Sequence, residues 1–496
     1  MFPRVHHRPH PSHACRSLVL AVCASTLLFT ATASAVEPGA YAPDQILVRY
    51  AATSPRARAA TARLSRAGGP VAASATARAT TATAIATATG AATSAATGTS
   101  SLDLPGAHTQ LLRLPAGASI TAALTRLRHR NDVLWAVPDF RAHTSGVFIP
   151  NDPGLTHTPT GWEASQWNFV GPFGVNAPEA WSNVAADGAP GGRGVVVAVL
   201  DTGVAYANRG RFRRSPDFSR YEFVRGYDFV AHNPYPNDHN GHGTFVASTI
   251  AESTNNRLGL TGLAYGVRLM PVRVLNSQGE GDASTIAEGV RFAVSHGAQV
   301  INLSLEFSSE VTASDIPELI EALRYARRRG VVVVAAAGNE GHTAIAYPAR
   351  APDVVAVGAT TEHGCLANYS NDGTGLTLVA PGGGADADLP DDPNCHPELP
   401  SGRDVFQMTF TGSSPQRFGF PSGYEGTSMA SPHVAATAAL VIASGVLGRH
   451  PSPAEVIARL RATARPLGRP GDSRLYGAGL VNAGAATAHG GPGAVG

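Results

Sequence analysis

The 496 residues are enough for two or three domains of roughly 100 to 200 residues each, and a composition that is 43% hydrophobic and 15% charged excludes a disordered chain. The formal net charge of +2 hides an asymmetry: residues 1–145 hold 14 Arg against 5 acidic residues, leaving 24 Arg against 31 acidic residues in the remainder. A basic leader on an acidic body disfavours nucleic acid as a partner of the mature protein, because phosphate binding needs a concentrated positive surface.

The first predicted element is a removable leader. Arg4, Arg8 and Arg16 precede the apolar run LVLAVCASTLLFTATASA, which ends in Ala33-Ser34-Ala35. The run is too short and too rich in Ala, Ser and Thr for a membrane span, so residues 1–35 are expected to be a signal peptide cut after Ala35. An anchor, or a lipoprotein signal at Cys23, is the weaker alternative. Removal of Cys15 and Cys23 leaves Cys365 and Cys395, which in an exported chain suggest one disulfide rather than two thiols.

Residues 36–145 contain QILVRY, TQLLRLP, a helix-like SITAALTRLRHR and DVLWAVPDF, a mixture that predicts a small α+β domain. An Ala/Thr-rich insertion, residues 71–101, has almost no large apolar side chain and is expected to be disordered. In the body, the runs at 195–200, 267–275, 298–305, 331–337 and 354–360 are rich in Val and Ile and alternate with helical patterns at 282–297 and 316–330. Continuous apolar strands between helices predict a parallel sheet covered on both faces, hence an α/β fold. After Asn482 no large core-forming residue remains, and residues 489–496 are expected to fray.

Functional groups of such sheets sit at the carboxyl ends of strands. Asp201-Thr202-Gly203 follows the first run, and Gly338-Asn339 follows the fourth. NGHGTFVASTIAE places His242 among glycines ahead of a helical pattern, and GYEGTSMASPHVAATAALVIASG places Ser428 at the mouth of an apolar helix. Alone, the Asp reads as a turn cap, the Ser as a helix cap and the His as structural. Their joint occurrence at element ends argues for chemistry.

VLDTGV, GHGTFVA, AAAGNEG and GTSMASPHVA resemble the four signature segments of the subtilisin family, in its order Asp, His, Ser. The resemblance runs from about Trp167 to Asn482, and the preceding block resembles the family's inhibitory propeptide. It implies a subtilisin-like parallel sheet with helices on both faces, preceded by a small α+β propeptide domain. It also implies a serine endopeptidase with Asp201, His242 and Ser428 as catalytic triad. A Ser hydroxyl needs a base near neutral pKa, and the imidazolium that forms needs an orienting carboxylate. Negative charge on the substrate carbonyl oxygen needs fixed donors, a role for Asn339 and the Ser428 N–H. Substrate would lie along Ser304, Leu305 and Glu306 and beside Ala337 and Gly338.

Three positions depart from the family pattern. Phe245 and Ser248 replace a His and a Gly and bear on packing, whereas Glu306 stands where a Gly usually follows the strand. Its carboxylate is expected to favour basic residues near the cut. STNNRLGLTG resembles the family's calcium loop, which assigns Thr254, Asn256, Leu258, Leu260 and the charged Asp217 to calcium. The expected organisation is signal 1–35, propeptide 36–145, peptidase domain 146–488 and a frayed tail. The expected product is a secreted monomer, with the periplasm as alternative, that is inhibited by its own propeptide, acts on protein or peptide substrates and has no membrane attachment after signal removal. Two rivals are a transpeptidase and a catalytically dead peptide-binding relative, the latter disfavoured by the complete residue set.

Overall fold

The computed structural model describes residues 41–51, 54–55, 100–104, 109–114, 119–140, 148–469 and 473–489. The leader 1–35, residues 71–99 of the Ala/Thr-rich insertion, residues 141–147 and the tail from 490 lie outside the described residues. The chain divides into two compact units, Met1–Thr144 and Ser145–Gly496.

In the first unit, β1 (Tyr41–Tyr50), β2 (Ser100–Leu104), β3 (Thr109–Arg113) and β4 (Val133–Phe140) form an antiparallel sheet in the order β2-β3-β1-β4. Helix α1 (Ile120–Arg128) starts at Ser119, whose hydroxyl accepts the Ala122 N–H, and buries Ala123 and Leu124. Alternation along β1 puts Ile46, Val48 and Tyr50 into the same small core. The expected α+β layout is present, but β2 corrects the predicted insertion: Ser100 and Ser101 already pair with Arg113 and Leu112 of β3. Backbone pairing holds this strand despite its small residues, which a scan for large apolar side chains misses.

The second unit contains α2 (Ala177–Ala186), β5 (Val196–Asp201), β6 (Tyr227–Asp228), α3 (His242–Ala251), β7 (Arg268–Arg273), α4 (Ala283–Ser295), β8 (Val300–Leu303), α5 (Pro317–Arg328), β9 (Val332–Ala336), β10 (Val355–Thr360) and β11 (Leu378–Pro381). A short hairpin, β12 (Thr409–Phe410) and β13 (Phe418–Gly419), precedes α6 (Thr427–Ser444), α7 (Pro453–Thr463) and α8 (Ala483–Thr487). The seven strands β5 to β11 are parallel, in the order β11-β10-β9-β8-β5-β7-β6. Side chains alternate between two cores. Val197 and Val199 face α2, α3 and α6, while Ala198 and Leu200 face α4 and α5. At about 1.5 to 3 kcal/mol for each large apolar side chain fully buried, this double burial is what the unbroken Val and Ile runs supply.

Among the elements that the sequence patterns do not announce, two bear on the core. The four residues of β11 were too few to stand out, and α8 lies in the segment expected to lack a core. Its Ala483, Gly484, Ala486 and Thr487 are buried. Small side chains permit close packing there, Asn482 caps the Ala485 N–H at 3.0 Å, and buried Arg459 donates to the Ala486, Ala485 and Ala488 carbonyls at 2.9, 3.0 and 2.6 Å. The chain runs from β5 to β6 and β7 on one side, then crosses to β8 on the other side of β5. The carboxyl ends of β5 and β8 therefore flank the crevice where an open α/β sheet holds its ligands.

Candidate active site

Asp201 is the last residue of β5 and is fully buried. Its Oδ1 accepts the Thr202 N–H at 2.7 Å and lies 2.8 Å from His242 Nδ1, whose proton it must accept because a carboxylate has none to give. His242 opens α3 behind Gly241. Close approach of the helix to Asp201 depends on Gly243: a Cβ there would stand 2.1 Å from the Gly203 carbonyl oxygen. Burial opposes protonation of His242, but the charge and hydrogen bond of Asp201, joined by the charge of Asp238, outweigh it and raise its pKa above 6.5.

Asp238 was absent from the predicted set, although it precedes His242 by only four residues. It is fully buried and takes hydrogen bonds on Oδ1 from Thr202 Oγ1, Asn240 N and Gly241 N at 2.9, 2.9 and 3.0 Å. Its Oδ2 accepts Thr244 N at 2.9 Å and Thr244 Oγ1 at 2.6 Å. Thr202 Oγ1 in turn accepts the Gly243 N–H at 3.0 Å, so Asp238 braces the turn that presents His242.

Ser428 lies in the first turn of α6, a helix buried nearly all round. Pro432 has no N–H, which leaves the Ser428 carbonyl without its helical donor. Ser304, just beyond β8, replaces it: Ser304 Oγ donates to Ser428 O at 2.8 Å and is held by Asn302 Nδ2 at 2.9 Å. The Ser428 hydroxyl itself donates to Ser304 O at 3.3 Å and makes no hydrogen bond to His242. Asp201 and His242 are thus joined, while the Ser428 hydroxyl is engaged by Ser304. Its backbone N–H has no partner among the described residues, as expected at a helix start. Tyr369 steadies the approach, accepting the Gly426 N–H at 2.9 Å and donating to Gly383 O at 2.8 Å.

Asn339 reaches the same helix end, with Oδ1 accepting from Thr427 N at 2.7 Å and Thr427 Oγ1 at 2.9 Å. Its Nδ2 and backbone N–H donate to Glu306 Oε1 and Oε2 at 3.0 and 2.8 Å, so the carboxylate expected to face substrate has a partner inside the protein. Partial burial raises the Glu306 pKa, the two Asn339 bonds pull it back, and nearby Glu340 adds to the rise. Gly338 donates to Thr427 Oγ1 at 3.3 Å. Ala337 is buried, with its N–H on Val357 O and its carbonyl accepting from Ala346 N. The Leu305 side chain belongs to the core facing α4 and α5. Phe245 stacks on Tyr424 with centroids 4.2 Å apart, and Ser248 Oγ donates to Met408 O at 3.0 Å, so both substituted positions pack.

The subtilase family model matches residues 192–479, which span β5 to the end of the sheet and both candidate nucleophile and base. This chain belongs to the subtilase family. An alkaline protease of Alkalihalobacillus alcalophilus is 38% identical over 339 residues, covering 68% of this chain and 75% of that protein. Subtilisin Savinase of Lederbergia lenta is 40% identical over 299 residues, 60% of this chain and 91% of its own. A solved protease structure from Pseudoalteromonas arctica has a TM-score of 0.55 and 31% identity, covering 68% of this chain and 99% of that one. The protein is a subtilisin-like serine endopeptidase that acts on protein or peptide substrates.

The predicted calcium loop of this subtilase wraps around Asp217, which is fully buried. Asp217 Oδ1 accepts Asn256 Nδ2 at 2.6 Å, Oδ2 accepts the Leu260 N–H at 3.3 Å, and Asn256 Oδ1 accepts the Leu258 N–H at 2.8 Å. The Thr254 hydroxyl donates to the Glu252 carbonyl at 3.0 Å and accepts the Gly262 N–H at 3.1 Å. A Cβ at Gly259 would stand 1.9 Å from Asp217 Oδ2, so only a glycine lets the loop close on the carboxylate. Among the described residues no three His, Cys, Asp or Glu side chains converge as metal ligands.

Two acids of this region escaped the sequence reading. Asp152 ties the loop down, accepting the Asn255 and Asn256 N–H groups at 2.7 and 2.9 Å. Glu252 is fully buried and neither carboxylate oxygen has a hydrogen-bond partner; the Met408 backbone faces it outside hydrogen-bond geometry. Burial, with the charges of Asp217, Asp152 and Glu222, raises the Glu252 pKa well above 4.5, and burial pushes Asp217 up to about 8. Such an orphaned acid fits a structural cation. Cys365 and Cys395 form a disulfide, and among the described residues no helix is long and apolar enough to cross a membrane.

Proposed function

We propose that Ser428, His242 and Asp201 form the catalytic triad of a secreted endopeptidase made as a self-processing zymogen. The observation that carries this reading is the 2.8 Å hydrogen bond between His242 Nδ1 and buried Asp201, because it fixes the tautomer with Nε2 free to take a proton. The Ser428 hydroxyl turns from the Ser304 carbonyl to His242, gives up its proton and attacks the scissile carbonyl. Asn339 Nδ2 and the Ser428 N–H stabilise the resulting oxyanion. His242 then protonates the leaving amine, and water releases the acyl group from Ser428 by the same steps. Peptide pairs along Ser304 to Glu306 and beside Ala337 and Gly338, the extended mode in which backbone bonds give affinity.

The unit 36–145 serves as the intramolecular inhibitor and residues 1–35 direct export, giving a mature extracellular monomer. A calcium ion held by Asp217, Asn256 and the carbonyls of Thr254, Leu258 and Leu260 braces the loop beyond α3, with Glu252 supplying further negative charge. A serine-directed phosphonate should label the parent once and Ser428→Ala not at all. In a host lacking other proteases, Ser428→Ala should accumulate uncleaved precursor, and the parent recovered from medium should begin between residues 140 and 152. Mature-size protein from the mutant would assign maturation to another enzyme.

A further inference from the structure

Asn339 is held from both ends by groups whose hydrogen-bonding sense is fixed. The Thr427 N–H can only donate, at 2.7 Å to Oδ1, and the Glu306 carboxylate accepts at 3.0 Å from Nδ2. Turning the amide over would set donor against donor at Thr427 and acceptor against acceptor at Glu306. One Nδ2 hydrogen is committed to Glu306, and the other keeps a set direction. The second Glu306 oxygen accepts the Asn339 backbone N–H at 2.8 Å, so one carboxylate grips the side chain and main chain of a single residue.

We propose that Glu306 is a positioning residue that aims the remaining N–H of Asn339 at the oxyanion by clamping both N–H groups of Asn339. This rests on the reading of Asn339 as an oxyanion donor. The clamp needs a carboxylate, since a glutamine presents one acceptor and one NH₂ to two donors and leaves one of them opposed. A negative charge beside a developing oxyanion works against catalysis, but Glu306 is only partly buried, and screening on its solvent-facing side weakens that repulsion. Orientation is not screened, and small displacements of a donor cost large factors in rate.

The test compares the mature parent, Glu306→Gln, Glu306→Ala, Asn339→Ala and the Asn339→Ala/Glu306→Gln double variant. Substrates are matched chromogenic peptides that are neutral, acidic or basic, with active sites counted by phosphonate titration. Glu306→Gln should lower kcat about 10-fold on all three peptides, with KM within about twofold. Glu306→Ala, which offers no misdirected NH₂, should change kcat in the same direction, and melting temperatures near the parent's show that both variants fold. Asn339→Ala should lower kcat about 100- to 1,000-fold, the range measured for the equivalent donor of a subtilisin. Adding Glu306→Gln to it should cost nothing further.

An unchanged or higher kcat in Glu306→Gln would overturn the proposal, the higher value marking the carboxylate as a plug on the donor. The same penalty repeated in the double variant would also overturn it, because Glu306 would then act without Asn339. So would a changed ratio of acidic to basic substrates at constant kcat, which marks a substrate reader. Full kcat in Asn339→Ala would instead overturn the assignment of Asn339, and the proposal with it, a result separable from the others.

Discussion

At the amino end of α3, the buried Asp238 carboxylate receives Thr202 and Thr244 hydroxyls and three backbone N–H groups, while at the carboxyl end the buried Glu252 carboxylate receives none. The helix field reinforces the contrast, since its amino end carries positive and its carboxyl end negative partial charge. Identical chemistry is therefore stabilised by fixed dipoles at one end and left in need of a counter-charge at the other. The dipole-rich end carries the residues that do chemistry, where geometry must not depend on a dissociable ion. The other end closes a surface loop, where such dependence is tolerable.

The sharpest way to break this comparison is at the catalytic end. Asp201→Asn keeps the shape but removes the charge that selects the His242 tautomer, and kcat should fall about 10,000-fold, the scale known for such a substitution in a serine protease. Because activity needs neutral His242 and Asp201 raises its pKa, activity should be lost as pH falls through a value above 6.5 in the parent. The residual activity of Asp201→Asn should persist to lower pH. A pH–rate profile of kcat/KM with the same acidic limb in both proteins would show that Asp201 does not tune the base.

Asp238→Asn tests the same end for stability. The amide NH₂ would face donors on a residue that now has acceptors on both oxygens, and leaving buried donors unpaired costs about 2 to 4 kcal/mol in all. Denaturant unfolding in the Ser428→Ala background, which prevents self-digestion, should report this loss equally with calcium or chelator present. A loss confined to one condition would tie Asp238 to the cation site and dissolve the comparison.

What could be read from sequence follows the same division. The strands β5 and β7 to β10 were legible because a strand buried on both faces must be apolar without interruption, and both α4 and α5 because their apolar residues recur at helical spacing. Asp201, His242, Asn339 and Ser428 were legible through four segments at element ends. Asp238 was not, since an Asp in NDHNGHG looks like any polar turn until five donors are seen to converge on it. Glu252 was hidden for the opposite reason: an acid at the end of a helix reads as solvated, and only burial against Met408 reveals otherwise. The pairing of Glu306 with Asn339 joins residues 33 apart in sequence, beyond the reach of any local pattern.

The smallest expected effect lies at the carboxyl end of α3. A metal bound only by the native state stabilises by mass action, so chelation of the Ser428→Ala protein should lower its melting temperature, and Asp217→Asn should weaken that dependence. Glu252→Gln separates the contributions, because it keeps the volume while removing an acid whose ionisation the site opposes unless a cation is bound. In chelator the parent must keep this acid protonated, so the variant should gain stability over its parent as pH rises above the ordinary carboxylate range and match it below that range. In excess calcium the advantage should shrink or reverse, since the parent's charge then faces a cation. The interval between the calcium and chelator melting temperatures should therefore narrow in Glu252→Gln, while Asp238→Asn leaves it unchanged. An interval equal to the parent's would show that Glu252 does not feel the ion, and the contrast between the two ends of α3 would then rest on burial alone.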